Sequence, residues 1–235
     1  MDLSKAFVDF AKLGAEWVLW LLIGLSVISI GVMIDRFLWF RDRDTDAERF
    51  LRELRGAFER DELDRTLAKY RDNAAVAVQV ALRGLAERDR GPEAAAEAMH
   101  QERARWRRTG DRGLIILGTL GNNVPFIGLF GTVLGVMNAF SYLSQKTAAA
   151  EEQTLNEIRE ALAATAFGLL VAIPAVIAFN YFSRRMKVMM SGADEAAHQV
   201  LSLLHARAHE RPTIERLDET KKQEKEKEGA DGGGK

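Results

Sequence analysis

A chain of 235 residues, 47% hydrophobic and 29% charged with a formal net charge of -1, has the average composition of an ordinary globular protein. The average hides a segregation: charges are nearly absent from three windows and crowded between them, the pattern of a membrane protein with soluble extensions. The absence of cysteine excludes a disulfide framework, thiolate catalysis and any cysteine-ligated metal.

Residues 1–16 form a short segment of mixed charge, with Lys5 and Lys12 offset by Asp2, Asp9 and Glu16. The first apolar window, 17–40, is long enough to cross a hydrocarbon core of roughly 30 Å. It carries Trp17 and Trp20 near one end and Trp39 and Phe40 near the other, as interfacial aromatic belts require. A secretory signal would have a basic start, a shorter apolar run and a small-residue cleavage site, so this window reads as a retained anchor. Residues 41–112 follow, rich in Ala, Arg, Glu and Leu, and predict helices broken near Asp72–Asn73 and Gly91–Pro92.

The second window, 113–143, is longer than a bilayer needs at about 1.5 Å per residue. Gly118, Gly121, Pro125, Gly128, Thr132, Gly135 and Ala139 recur along it at spacings of three and four, which places them on one helical face. After a loop at 144–156, the third window, 157–183, repeats the device with Ala161, Thr165, Gly168, Ala172 and Ala175. Each stripe has one threonine and little bulk, so it serves either close helix packing or the wall of a narrow, weakly polar space. Pro174 favours a kink in the third helix, and Asn122, Asn123 and Asn138 require that the second be largely buried in protein. Residues 184–211 continue the third helix, and the Lys/Glu- and Gly-rich stretch 212–235 has too little apolar surface to fold.

Basic residues orient the spans. Arg36, Arg41 and Arg43 follow the first, five arginines from Arg103 to Arg112 precede the second, and Arg184, Arg185 and Lys187 follow the third. The opposite flanks are poorer in positive charge, which predicts an N-terminus outside and a C-terminus in the cytoplasm. The Arg103–Arg112 cluster next to a span fits anionic lipid head groups, at roughly 1 kcal/mol per charge, better than nucleic acid. His205 and His209 have metal-ligand spacing without an evident further ligand beyond His198, and the glycines around Thr132 lack the lysine and strand of a phosphate-binding loop. Glu160, at the start of the third apolar stretch, is either a first-turn carboxylate favoured by a helix N-terminus or an acidic residue at the mouth of a polar path. Its neighbour Arg159 favours the ionised form. Thr132 and Thr165 either bond back to their own helices or line a conduit.

The run Gly121-Asn122-Asn123-Val124-Pro125-Phe126-Ile127-Gly128-Leu129-Phe130-Gly131-Thr132-Val133-Leu134-Gly135 resembles the second transmembrane segment of the ExbB/TolQ/MotA family. Residues Ile158 to Leu169, followed by Ala172-Ile173-Pro174-Ala175 and Asn180, resemble its third. The resemblance implies an all-α membrane protein with three spans, a subunit of an inner-membrane motor driven by proton-motive force. Five such subunits would form a ring around a single-span partner resembling ExbD or TolR, whose membrane aspartate carries the proton. No cofactor, metal or covalent chemistry is implied. Carried over by motif, Thr132 and Thr165 line the interior and Glu160 is the acidic residue of the third span. Gly128, Gly135, Gly168, Ala172 and Pro174 belong to the small-residue wall, as lining or as packing. The short soluble part favours the ExbB/TolQ branch over a flagellar-type, sodium- or proton-driven stator, and a purely structural scaffold is the rival from another class.

Overall fold

The protein, represented by a computed structural model, is described over residues 15–43, 47–60, 62–144 and 147–231, with its side chains described no further than Ala208. Expectations for residues 1–14, for a metal at His209 and for the packing of the tail at 212–235 fall outside them. Among the described residues there is no strand. The helices are α1 (Glu16–Arg43), α2 (Ala47–Glu59), α3 (Leu63–Tyr70), α4 (Val76–Ala86), α5 (Pro92–Leu143) and α6 (Ala148–Asp231), with a 3-10 turn at Arg88–Arg90. Three of them, α1, α5 and α6, are long and apolar enough to cross a membrane.

The chain divides into two compact units. One holds residues up to Arg41 together with Thr109–Met186, the apolar parts of α1, α5 and α6. Within it α1 buries Val18, Leu22, Ser29, Arg36 and Phe40, a narrow seam along one face, while Trp20 and Val27 are each 67% exposed. Val18 and Leu22 meet Val124 and Leu134 of α5 and Val171 and Ala172 of α6 in one apolar cluster. Only 17% of the apolar window of α1 is buried, so most of its surface is left for lipid or another chain.

Arg36 counts in sequence only as a charge flanking a span, yet it is 9% exposed. Its guanidinium donates to the Thr109 and Gly110 carbonyls of α5 at 3.2 and 3.3 Å, is bonded by Asp35, and lies over the Trp39 ring at 5.4 Å. A β-carbon at position 113 would stand 2.5 Å from Arg36 Cδ, so Gly113 makes the space through which this side chain reaches α5. A buried arginine needs this full set of acceptors to offset the loss of its hydration.

The second unit comprises Asp42–Arg108 and the chain from Lys187 onward. Phe50, Leu54, Leu85 and Met99 are its largest fully buried side chains. Helices α2 and α3 are joined by a Phe50–Tyr70 edge contact at 4.9 Å and by Lys69 bonded to Glu53. That lysine holds the Glu53 carboxyl below the usual carboxylate range, and burial chiefly pushes the Tyr70 phenol up. Between α3 and α4 the Asn73 side chain accepts the Ala75 amide at 2.8 Å, forming a local turn at the break expected there. The second expected break is at Gly91, whose φ of +101° is costly for any residue with a β-carbon, and Pro92 then opens α5.

The loop expected at 144–156 is mostly helix. Thr147 caps α6, its hydroxyl accepting the Ala150 amide at 3.2 Å, so the helix begins at Ala148, well before the apolar stretch. Pro174 is exposed inside this continuous helix.

The glycines of the spans divide sharply by surroundings. A β-carbon at 128 would lie 2.8 Å from the Ala164 carbonyl oxygen, whereas one at Gly24 or Gly31 of α1 meets nothing within 4 Å. Gly128→Ala is therefore expected to cost about 1–3 kcal/mol through backbone displacement. Gly24→Ala is expected to be neutral or to stabilise by up to about 1 kcal/mol through helix propensity. Thermal unfolding of the detergent-solubilised protein checks the pair; equal midpoints for the two variants would refute the tight crossing.

Candidate functional site

The two small-residue stripes face each other. A β-carbon on Gly168 would lie 3.1 Å from Gly128 Cα and 3.2 Å from the Val124 carbonyl oxygen. A β-carbon on Gly135 would lie 2.6 Å from Ala161 Cβ. At 131 the same added atom would meet both Ala164 of α6 and Val18 of α1, so all three spans converge there. Gly128, Gly135, Gly168 and Ala172 are buried, and within this subunit they serve helix packing.

This approach fixes the two threonines differently. Thr165 Oγ1 donates to the Gly128 carbonyl of the opposite helix at 3.1 Å, while Thr132 Oγ1 donates back to Leu129 in its own helix at 2.6 Å. The Gly128 carbonyl is also the one that α-helical geometry pairs with the Thr132 amide, so it links the two threonines. Both side chains are half-buried. Each hydroxyl has given its proton to a backbone carbonyl, which leaves its oxygen lone pairs as acceptors on a partly open surface. Such a surface suits a protonated group supplied from outside the chain.

Glu160 is not assembled with them. It is exposed, and on an ideal helix it sits about 7.5 Å along α6 from Thr165 and roughly 140° around it. One expectation about it is corrected. It lies about three turns inside α6 rather than in a first turn, so the helix terminus gives it no support. The guanidinium of its neighbour Arg159 donates to the Asn156 side chain at 3.0 Å.

The stripe of α6 instead continues onto Glu157, four residues before Ala161. Its backbone carbonyl oxygen would stand 3.1 Å from a β-carbon on Gly135, and its Oε2 is buried without a hydrogen-bond partner among the described residues. Sequence inspection passes over Glu157 because it stands at the charged edge of the third window, before the small residues begin; the four-residue step to Ala161 is the available signal. Of the three asparagines expected to be buried, Asn138 is 7% exposed, whereas Asn122 and Asn123 are exposed, Asn123 bonding to the Thr119 carbonyl at 2.9 Å, and 39% of the apolar window of α5 is buried within this chain.

Three apolar helices, a glycine-walled crossing and two threonines bonded to the adjacent carbonyls of Gly128 and Leu129 define a helical membrane protein built for close helix contact around a weakly polar face. Residues 47–195 match the model of the MotA/TolQ/ExbB proton channel family, and the chain belongs to that family, on its ExbB/TolQ-like branch. It is 30% identical over 222 residues to the Tol-Pal system protein TolQ of Haemophilus influenzae, covering 88% of this chain and 97% of that one. It is 39% identical over 117 residues to TolQ of Pseudomonas aeruginosa, covering 50% and 51% of the two chains. It is 42% identical over 90 residues to the biopolymer transport protein ExbB of Neisseria gonorrhoeae, covering 38% and 41%. The match thus spans about half the length or less of the latter two relatives.

The buried Glu157 oxygen and the exposed Glu160 should respond differently to substitution. Glu157→Leu removes an unsatisfied buried polar atom and is expected to leave stability unchanged or raise it by about 1 kcal/mol. Glu160→Gln is expected to shift it by less than about 0.5 kcal/mol. Thermal unfolding at neutral pH decides; a marked loss of stability in Glu157→Leu would mean that this carboxyl is held by a partner.

Proposed function

We propose that this chain is the ring-forming subunit of a motor in the bacterial inner membrane, driven by the proton-motive force. Five copies surround the spans of a small partner resembling ExbD or TolR, with the N-terminus outside and the C-terminus in the cytoplasm. The observation that carries the reading is the hydrogen bond from Thr165 to the Gly128 carbonyl, with Thr132 one helical turn further along the same carbonyl ladder. It offers polar acceptors in an otherwise apolar, small-walled surface. Membership of a proton channel family supports the ion carried.

In this mechanism the chain makes and breaks no covalent bond and acts as a wall rather than an enzyme. The partner's membrane aspartate carries the proton. When charged, it costs several kcal/mol in the membrane interior unless it meets donors or water, and when protonated it donates to hydroxyl oxygens such as those of Thr132 and Thr165. Alternation between these states lets the partner step against the ring. One proton crossing 100 mV releases about 2.3 kcal/mol, enough to bias each step. Glu160, exposed and without a bond among the described residues, is the acidic residue at the mouth of the polar path in this reading. Gly128, Gly135, Gly168 and Ala172 keep the wall thin, and Pro174 lies on the exposed side of α6. The output is work on the cell envelope, such as transport or envelope maintenance.

The test is proton flux into liposomes containing the chain with its co-expressed single-span partner. Thr165→Val keeps the shape and removes the hydroxyl; loss of about 1 kcal/mol of path stabilisation predicts flux slowed roughly fivefold, with Thr165→Ser near the native rate. Wild-type flux in Thr165→Val would refute the role of that hydroxyl. Failure to co-purify with any single-span protein bearing a membrane aspartate would refute the motor reading itself.

A further inference from the structure

The unit outside the apolar segments contains a cleft of about 550 Å3 that the motor role leaves unused. This volume lies within the range of roughly 300–1,000 Å3 found for small-molecule sites. The cleft is gathered from distant parts of the sequence: Arg71 follows α3, Arg83 is on α4, and Arg105 and Arg108 are on α5. Its construction is fixed. A β-carbon on Gly84 would lie 2.5 Å from the Met99 side chain, so α4 and α5 pack closely beside it. The Gln79 amide donates to the carbonyls of Arg71 and Asn73 at 3.3 and 2.6 Å, tying the Arg71 backbone to α4.

The lining is strongly unbalanced in charge. Four guanidinium groups face one carboxylate, Glu102, which is already bonded to Arg105 at 3.2 Å. The guanidinium groups of Arg71, Arg83 and Arg108 are exposed and make no hydrogen bond or ion pair among the described residues. Cations gathered without an anion repel one another, and a bound anion relieves that repulsion. All four cations are arginine. Their planar forks donate paired hydrogen bonds, a match for the several oxygens of a phosphate group. Leu82 and Ala86, beside these forks, give the cleft an apolar wall.

We propose that this cleft binds a phosphate-bearing ligand, its oxygens held by Arg71, Arg83 and Arg108 and its apolar portion laid against Leu82 and Ala86. The phosphate comes either from an anionic phospholipid head group or from a soluble phosphate compound. Arg108 lies about 7.5 Å along α5 from Gly113, where the apolar window opens, so its guanidinium is within reach of head groups.

The experiment uses the full chain in phosphatidylcholine nanodiscs. One arm adds phosphatidylglycerol and measures its enrichment around the protein; the other titrates inorganic phosphate by calorimetry. Saturable binding in either arm is expected, about tenfold weaker in Arg71→Gln/Arg83→Gln and changed by less than about twofold in Arg49→Gln/Arg52→Gln, which removes equal charge elsewhere. The charge-preserving Arg71→Lys/Arg83→Lys variant is expected to lose about threefold, because it keeps the charge without the fork. Circular dichroism and elution volume verify that each variant is folded. The proposal is overturned if neither probe saturates, if the glutamine pair binds like the wild type, or if the control pair loses as much. It is also overturned if the wild type binds neither probe and the glutamine pair dissociates the oligomer, because an acidic surface of a second copy would then fill the cleft.

Discussion

Two glycines set the distance between α5 and α6, and the remaining features of the apolar unit follow from that distance. With Gly128 and Gly168 in near-backbone contact, the Thr165 hydroxyl reaches a carbonyl of the opposite helix. The same approach brings Ala164 against Gly131 where Val18 of α1 also arrives, so the first span is keyed into the crossing of the other two. In lipid there is no hydrophobic gain from joining apolar helices, and close packing with an occasional hydrogen bond has to supply the affinity. Small residues at regular steps meet that requirement at little entropic cost.

The crossing consumes only one face of each helix. Phe126 and Phe140 of α5 and Ile177 of α6 are each more than 60% exposed, a surface suited to lipid or to further copies of the chain. An element that is rigid within and apolar without can form a wall and leave the moving, protonatable part to another protein. The half-buried threonines fit this division of labour: their protons are committed to the backbone, and their lone pairs are offered outward.

The sequence made much of this legible because the relevant signals are periodic. Spans appear as charge-poor windows, and the stripes appear as small residues at helical spacing. The all-helical fold and the breaks at Asn73 and Gly91 follow from residues whose local chemistry dictates them. Sequence periodicity cannot, however, say which surface a stripe faces. The same pattern that marks a lined interior also marks a helix pair, and the contacts of Gly128 and Gly135 are with α6. Arg36 was hidden because a charge at a span end is ordinarily solvated, and its burial depends on Gly113, which lies far away in the chain. Glu157 was hidden because it stands at the charged edge of the third window, although the spacing of the stripe includes it. The interruption between Glu59 and Leu63 has neither glycine nor proline to announce it, and the early start of α6 depends on one cap, Thr147. The arginine cleft arises only when α4 and α5 come together.

The central claim is that the face carrying Thr132 and Thr165 meets the partner's membrane helix, and the cysteine-free chain allows it to be tested directly. A single cysteine would be placed at Thr132 or, on another face of α5, at Phe126, and paired with a cysteine beside the aspartate in the partner's span. Oxidative cross-linking in native membranes should join the partner to the protein carrying Thr132→Cys and not to that carrying Phe126→Cys. Cross-linking through position 126 with none through position 132 would contradict the account.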